Sequence, residues 1–233
     1  MSRKSRPPST SLASPAAAAA EMKIQRPKLP RQLEPRSLDS LILHDEGTIL
    51  PGLYENGTIS GGEAGKVMLE QTHFKHIVFD DVSLPGAEIT DVIFEQCDLS
   101  NVNLTDAIMH RTHFIHCKMV GLDLLGSTLR NIRFTHCLAD YSTFRFANLK
   151  QVAMENSSFT QADFYSATLS KVRLHEINID KAQFSSTPLR DIDISTCEFH
   201  NLGITLEDLQ GCIISPPQAI LFTKIFGLVV KDE

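Results

Sequence analysis

Residues 97–121 read CDLSN-VNLTD-AIMHR-THFIH-CKMVG when broken at every fifth position, and this phrasing decides the architecture. Each word has a large apolar residue at its centre: Leu99, Leu104, Met109, Phe114 and Met119. Two positions earlier stands a small or β-branched residue: Cys97, Val102, Ala107, Thr112 and Cys117. The same phase runs upstream through Phe94, Ile89, Leu84, Phe79 and Phe74 to Leu69. Downstream it continues through Leu124, Leu129 and Phe134 as far as Leu209 and Ile214. Only Ala139 is a small centre, and all five cysteines (97, 117, 137, 197 and 212) fall at the small position. An α-helix repeats every 3.6 residues and a strand every 2, so neither turns two positions in every five inward. A chain that turns a right-angled corner after each five residues does. The other three positions of each word face solvent, and Asp, Asn, Ser, Thr, Arg and Gln collect there.

Composition narrows the function classes. The 233-residue chain has 13 Phe but no Trp and only 3 Tyr, with a net charge of −6. An acidic chain lacks the basic surface that nucleic-acid phosphates require, so direct nucleic-acid binding is excluded. No run of eighteen apolar residues exists to cross a membrane as a helix. An odd number of cysteines without a CxxC pair suggests neither a disulfide framework nor a zinc site, and a reducing, cytoplasmic location is expected. Gly-rich phosphate loops, HExxH and GxSxG are missing, so no enzyme, catalytic residue or cofactor is expected. His73, His76, His113, His116 and His136 share one wall and are expected to be stacked surface side chains, with no metal ligands among them.

The words Cys97-Asp98-Leu99-Ser100-Asn101, Val102-Asn103-Leu104-Thr105-Asp106, Ala147-Asn148-Leu149-Lys150-Gln151 and Ala162-Asp163-Phe164-Tyr165-Ser166 fit the unit A(D/N)LXX. Over about residues 67–214 the chain therefore resembles the pentapeptide-repeat family. That resemblance implies an all-β fold, a right-handed quadrilateral β-helix with four pentapeptides per coil. Coils stacked at ~4.8 Å would give about seven turns and a rod roughly 34 Å long. Residues 20 apart then lie above one another, so Phe74, Phe94, Phe114 and Phe134 form a ladder that gives way to Met154, Leu174 and Ile194. Cys97, Cys117 and Cys137 form a second column. They are expected to stay thiols, because parallel inward side chains meet in poor disulfide geometry.

Four segments follow. Residues 1–21, basic and rich in Ser, Pro and Ala, read as a disordered or cloning-derived extension, with a targeting peptide the alternative and Met22 a sensible native start. Residues 22–56, with prolines at 27, 30, 35 and 51, read as an N-terminal capping segment covering the first coil's open edge. Residues 57–214 form the β-helix. Residues 215–233 form a C-terminal module: Ser215-Pro216-Pro217 starts a helix over 218–226, Gly227 closes it, and Leu228-Val229-Val230 reads as a short strand. Its apolar residues Ile220, Leu221, Phe222, Ile225, Phe226 and Leu228 either seal the last coil or also join two chains across a two-fold axis, and the homodimer is the preferred reading.

The tail sharpens the resemblance. Asp208-Leu209-Gln210-Gly211, Gln218-Ala219-x-Leu221 and Gly227-Leu228 look like the end of the quinolone-resistance Qnr and MfpA members of the family. These are rod-shaped dimers, similar to B-form DNA in size and charge, that bind DNA gyrase and topoisomerase IV and protect them from fluoroquinolones. The resemblance implies that activity, toward the drugs or a related toxin, and those partners here. The alternative is a structural scaffold that binds a non-topoisomerase partner. The register from 69 to 214 has no insertion, so the chain is more like MfpA and the loop-less Gram-positive relatives than the loop-bearing Qnr proteins. The wall centred on Phe79, Leu99, Met119, Ala139, Phe159, Ile179 and Phe199 carries Asp80, Asp81, Asp98, Asp140, Asp180 and Glu198 against Lys118 and Lys181, a net −4. The opposite wall, centred on Ile89 through Leu209, is net +1, with Glu207 taken as an inward residue. The acidic wall is the expected partner-binding surface.

Overall fold

From Leu69 to Phe199 the apolar centres point inward and stack on equivalent residues 20 positions apart, and this one rule builds most of the molecule. The computed structural model describes residues 22–231, so the expectation for residues 1–21 falls outside the described residues. Among the described residues nine strands form one sheet in parallel register: β1 Thr48–Ile49, β2 Gly52–Glu63, β3 Met68–Glu70, β4 Thr72–Ser83, β5 Glu88–Glu95, β6 Ile108–Ile115, β7 Thr128–Thr135, β8 Asn148–Glu155 and β9 Thr168–His175. Phe74 pairs with Phe94, Phe94 with Phe114, Phe114 with Phe134, and Phe134 with Met154. The remaining walls close through single parallel bridges at the same spacing, such as Val78–Asp98–Lys118–Leu138–Ser158–Asn178–Glu198. The chain is thus a parallel β-solenoid of four-sided coils, and among the described residues no helix is long and apolar enough to cross a membrane.

Corners explain why the outward positions are polar and small. Most residues two after a centre adopt left-handed backbone, with φ between +49° and +63° at non-glycine positions. Asn, Asp and Gly tolerate this best, because a short polar side chain or none relieves the clash of Cβ with the carbonyl. Asp and Asn one residue before a centre secure the following turn from their side chains. Asp98, Asn103, Asp123 and Asp163 each accept the backbone N–H two residues on, at 2.8–3.0 Å.

The core is a column of rings and aliphatic chains. Tyr54, Phe74, Phe94, Phe114 and Phe134 stack with centroids 4.9–5.3 Å apart, extending the expected ladder one rung upstream. Phe144, Phe164 and Phe184 make a second ladder on the facing wall, at 4.7 and 4.8 Å. Around the one small centre, Ala139, the rings of Phe134, Phe144 and Phe159 meet edge-on or tilted at 5.9–6.3 Å and fill the space. The thiols of Cys97, Cys117 and Cys137 are free, and each donates to the carbonyl 23 residues earlier. Burial pushes the thiols of Cys197 and Cys212 up to about 12, so they are protonated packing groups.

The ends depart from the sequence reading. Ile49, Tyr54, Ile59 and Ala64 keep the five-residue phase and are buried, and β2 pairs with β4 from Gly52–Thr72 onward. The first coil therefore begins before Leu69, inside the stretch expected to cap it; glycines 47, 52 and 57 at the small positions disguise the pattern. Leu38, Leu41 and Leu43 pack against this core, and residues 24–36 run along an edge of the rod. At the other end the phase loosens. Lys181 N–H reaches Asn201 where its neighbours reach 19 residues on, and Asp208 takes the buried place assigned to Glu207, accepting from Thr205 Oγ1 at 2.7 Å and Ser186 N at 3.0 Å. Ile214, expected inward, is exposed.

The helix α1, Pro216–Ile225, closes the last coil. Gln218 carries the closure: its Nε2 donates to the carbonyls of Ile194 (2.8 Å) and Cys197 (2.9 Å), while its Oε1 accepts from Ser215 N. Gly227, at φ +76°, ends the helix. The strand expected at Leu228-Val229-Val230 is not formed. A strand needs a ladder partner, none pairs with it among the described residues, and Val229 is 95% exposed.

Candidate interaction surfaces

The six carboxylates expected on the acidic wall do share it, but they are not equivalent. Asp98 pairs with Lys118 Nζ at 3.0 Å and accepts from Ser100 N. Its partial burial acts to raise its pKa, and the Ser100 and Lys118 hydrogen bonds outweigh this and hold it below the usual carboxylate range. Asp140 accepts from Ser158 Oγ and, at 3.0 Å, from Thr160 N. Asp180 accepts the backbone N–H groups of His200 (2.7 Å) and Asn201 (2.9 Å), which lower its pKa. These three brace the next coil as well as carrying charge. Asp80, Asp81 and Glu198 stand exposed and present their charge outward.

The adjoining wall adds Asp106, Asp123 and Asp163 against Arg145. It also holds a feature that composition and periodicity concealed. Tyr141 and Phe146 are 59% and 56% exposed at successive corners of one coil. Phe146 meets Tyr165 edge-on at 5.8 Å, and the Arg145 guanidinium lies 4.7 Å from the Tyr165 ring while pairing with Asp163 at 2.9 Å. A bulky aromatic residue with left-handed backbone, φ +57° at Phe146, is the available sequence signal, since fold stability alone favours Asn or Gly there. Aromatic and Arg side chains gathered at a surface are the kind that anchor protein interfaces.

The expected dimer residues divide. Phe222 is buried against Phe199 (5.4 Å) and Phe226 (6.2 Å), so it seals the coil and is unavailable to a partner without unfolding the end. Ile220 and Leu228 are exposed, while Leu221, Ile225 and Phe226 are half-buried. Between the last coil and α1 lies an apolar groove of about 340 Å³ lined by Leu206, Ile214, Phe226 and Leu228 among others. On the histidine wall, His73 bonds Glu95 at 3.0 Å and His76 bonds Gln96 at 2.8 Å, while the rings of His116 and His136 stack at 4.8 Å. Among the described residues no three His, Cys, Asp or Glu side chains converge as a metal site.

Comparison with known proteins agrees with this geometry. A pentapeptide repeat region matches residues 87–160, and eight-copy pentapeptide repeats match residues 142–180 and 157–195. The uncharacterised protein YisX of Bacillus subtilis (strain 168) is 37% identical over 207 residues, covering 89% of this chain and 97% of YisX. The chain is a pentapeptide-repeat protein. Among solved pentapeptide-repeat structures, full-length QnrB1, a plasmid-mediated fluoroquinolone resistance protein, is 17% identical over 80% of this chain and 97% of its own, with a TM-score of 0.41. HetL of Nostoc sp. strain PCC 7120, involved in heterocyst differentiation regulation, is 19% identical over 73% of this chain and 90% of its own, with a TM-score of 0.32.

Proposed function

We propose that this pentapeptide-repeat rod occupies the DNA-binding surface of a type II topoisomerase, DNA gyrase or topoisomerase IV, as a mimic of duplex DNA. In that position it protects the enzyme from fluoroquinolones or a related toxin. The observation that carries the reading is charge placement. Between residues 57 and 211 two adjoining walls hold ten carboxylates against four cations, and the wall opposite the more acidic one is nearly balanced, with six carboxylates against five cations. Residues 24–28 lie along the edge diagonally opposite the edge these two walls share. A duplex ~34 Å long carries about 20 phosphate charges, so the rod imitates one face of DNA and not its whole circumference. A one-sided acidic field steers the rod onto a basic saddle and fixes which face docks. The resemblance of the tail to Qnr and MfpA supports this choice of enzyme class, and the exposed Ile220 and Leu228 favour a homodimer through the C-terminal module.

The test is a gyrase supercoiling titration with the full chain, with and without ciprofloxacin. Rescue of drug-inhibited supercoiling, abolished by Asp80→Lys with Asp81→Lys, is the expected result. Those two residues are the informative pair because they are exposed, whereas reversing Asp98, Asp140 or Asp180 also removes bonds between coils. No effect of the wild-type chain in either arm defeats the reading. A second reading, a scaffold that grips a non-topoisomerase protein, is favoured by the exposed Tyr141 and Phe146 with the half-buried Tyr165 and Arg145 beside them, which interrupt the acidic surface. Phe146→Ser separates the two by weakening such a partner while leaving gyrase rescue intact.

A further inference from the structure

The N-terminal segment is a bound extended peptide, and its chemistry does not match the surface it covers. Gln25 N–H donates to Asn131 Oδ1 at 3.2 Å and Lys28 N–H donates to Asp91 Oδ1 at 2.8 Å. Asp91 and Asn131 occupy the same corner column two coils apart, with Arg111 between them clasping Asp91 from Nε at 2.5 Å and Nη2 at 2.6 Å. Two coils rise ~9.6 Å and three residues of polyproline-type chain span ~9.3 Å, so the column measures off every third backbone N–H of a peptide running antiparallel to the rod's coil order. Pro27 and Pro30 hold this extended form. The grip is close: Ile24 is 6% exposed, Asn131 1%, and Ala153, at an outward position of its wall, is fully buried.

Electrically the fit is poor. The face beneath the segment carries His110, Arg111, His113, Arg130 and Arg133, with Asp91 already held by Arg111 and Glu155 bridging Arg133 (3.4 Å) and Arg173 (2.5 Å). Onto it the segment sets Arg26 and Lys28, neither of which makes an ion pair among the described residues. Arg26 lies near enough to His113, and Lys28 to His110, to help depress the basicity of each ring, with burial the larger cause in both. The buried N–H donors Arg133 Nε and Arg173 Nε and the ring nitrogen His113 Nε2 have no hydrogen-bond partner among the described residues. A cationic face with orphaned donors is complementary to carboxylates.

We propose that the Asp91–Asn131 corner is a docking site for an extended acidic, proline-containing peptide of a partner protein. The peptide would have an aliphatic anchor at the place of Ile24 and carboxylates at the places of Arg26 and Lys28, and residues 24–28 are the displaceable resident. The acidic peptide uses the same two backbone N–H bonds and satisfies the donors that the resident leaves orphaned. The rod then has two faces of opposite preference, an acidic edge for a basic partner and this corner for an acidic one.

The probes are two fluorescein-labelled peptides: residues 22–32 as they stand, and the same sequence with Arg26→Glu and Lys28→Glu. Titrated against the full chain and read by anisotropy, the acidic peptide is expected to bind at least ten-fold tighter than the native one. That binding should weaken with salt and fall at least ten-fold with Asn131→Leu, checked for folding by circular dichroism. Introducing Arg26→Glu and Lys28→Glu into the full chain is expected to slow amide exchange at Gln25 and Lys28 by ten-fold or more. Equal binding of the two peptides overturns the charge argument. If Lys28→Pro frees the segment by hydrogen exchange and neither peptide then binds, the corner holds only its own chain and the docking site is refuted.

Discussion

Lowering the pH tests the buried edge of the rod through one side chain, His113. Its ring is buried beneath the N-terminal segment, and burial, followed by the charges of Arg133 and Arg26, pushes its pKa down to about 4, with Glu155 pulling weakly the other way. The folded protein therefore holds the neutral ring, while the unfolded chain takes up a proton near pH 6.5. Because the folded pKa is depressed, the stabilisation is complete above pH 6.5, declines as pH falls, and is gone below about 4. A shift from 6.5 to about 4 at ~1.36 kcal/mol per unit is worth about 3 kcal/mol, of which about 2 is lost by pH 5. Urea unfolding followed by circular dichroism at pH 7.5, 6 and 5, on the wild type and His113→Gln, reads it directly. The variant should be less sensitive to pH by that amount across the 6.5–4 window. His110 is depressed as well, chiefly by burial and then by Arg111, and contributes in the same direction, but it is present in both chains and cancels in the difference. Asp91 and Asp98, whose pKa values are lowered, act below that window. Equal pH slopes in the two proteins would falsify the assignment of a buried neutral His113.

Four further outcomes can be checked by mutation. Phe114→Ala, which removes a fully buried ring stacked at 5.0 and 4.9 Å between Phe94 and Phe134, should cost about 3–5 kcal/mol in urea melts. Phe146→Ser, on the exposed aromatic cluster, should cost less than about 1 kcal/mol in the same assay. Gln218→Ala orphans the carbonyls of Ile194 and Cys197, so about 1–3 kcal/mol of local stability should be lost, seen as faster hydrogen exchange through Pro216–Ile225 with the central coils unchanged. Ile220→Asp with Leu228→Asp, leaving the buried Phe222 in place, should give monomers by light scattering; a dimer that persists places the interface elsewhere.

How much of this was legible beforehand differs from residue to residue. The central coils were, because inward position is a local property: a residue's place within its word of five sets the direction of its side chain, and every word repeats the same corner. Phe74 above Phe94 above Phe114 needs no tertiary information beyond the rule of twenty. The first coil was hidden because glycines stand at its small positions and Tyr54 ends in a hydroxyl, which bonds Leu50 O at 3.1 Å. The last coil was misphased because the carboxylate accepted there is chosen by the donors it meets, Ser186 N and Thr205 Oγ1, and these favour Asp208 over Glu207.

For the candidate surfaces the division is sharper. The sequence by itself determined which wall each charged residue stands on, and so the acidic side of the rod, since wall assignment is arithmetic modulo twenty. It also determined that an apolar module follows the last coil. Only the tertiary structure decided that Asp98, Asp140 and Asp180 are tied between coils while Asp80 and Asp81 are not, that Phe222 seals the rod, and that Tyr141, Phe146 and Tyr165 gather at neighbouring corners. Only there does the segment around Ile24 meet Asn131, 106 residues later, in a groove that no repeat predicts. The physical reason is range. A repeat encodes contacts between equivalent positions of successive coils, whereas the partner of a non-repeating segment depends on where the finished rod happens to offer acceptors to its backbone.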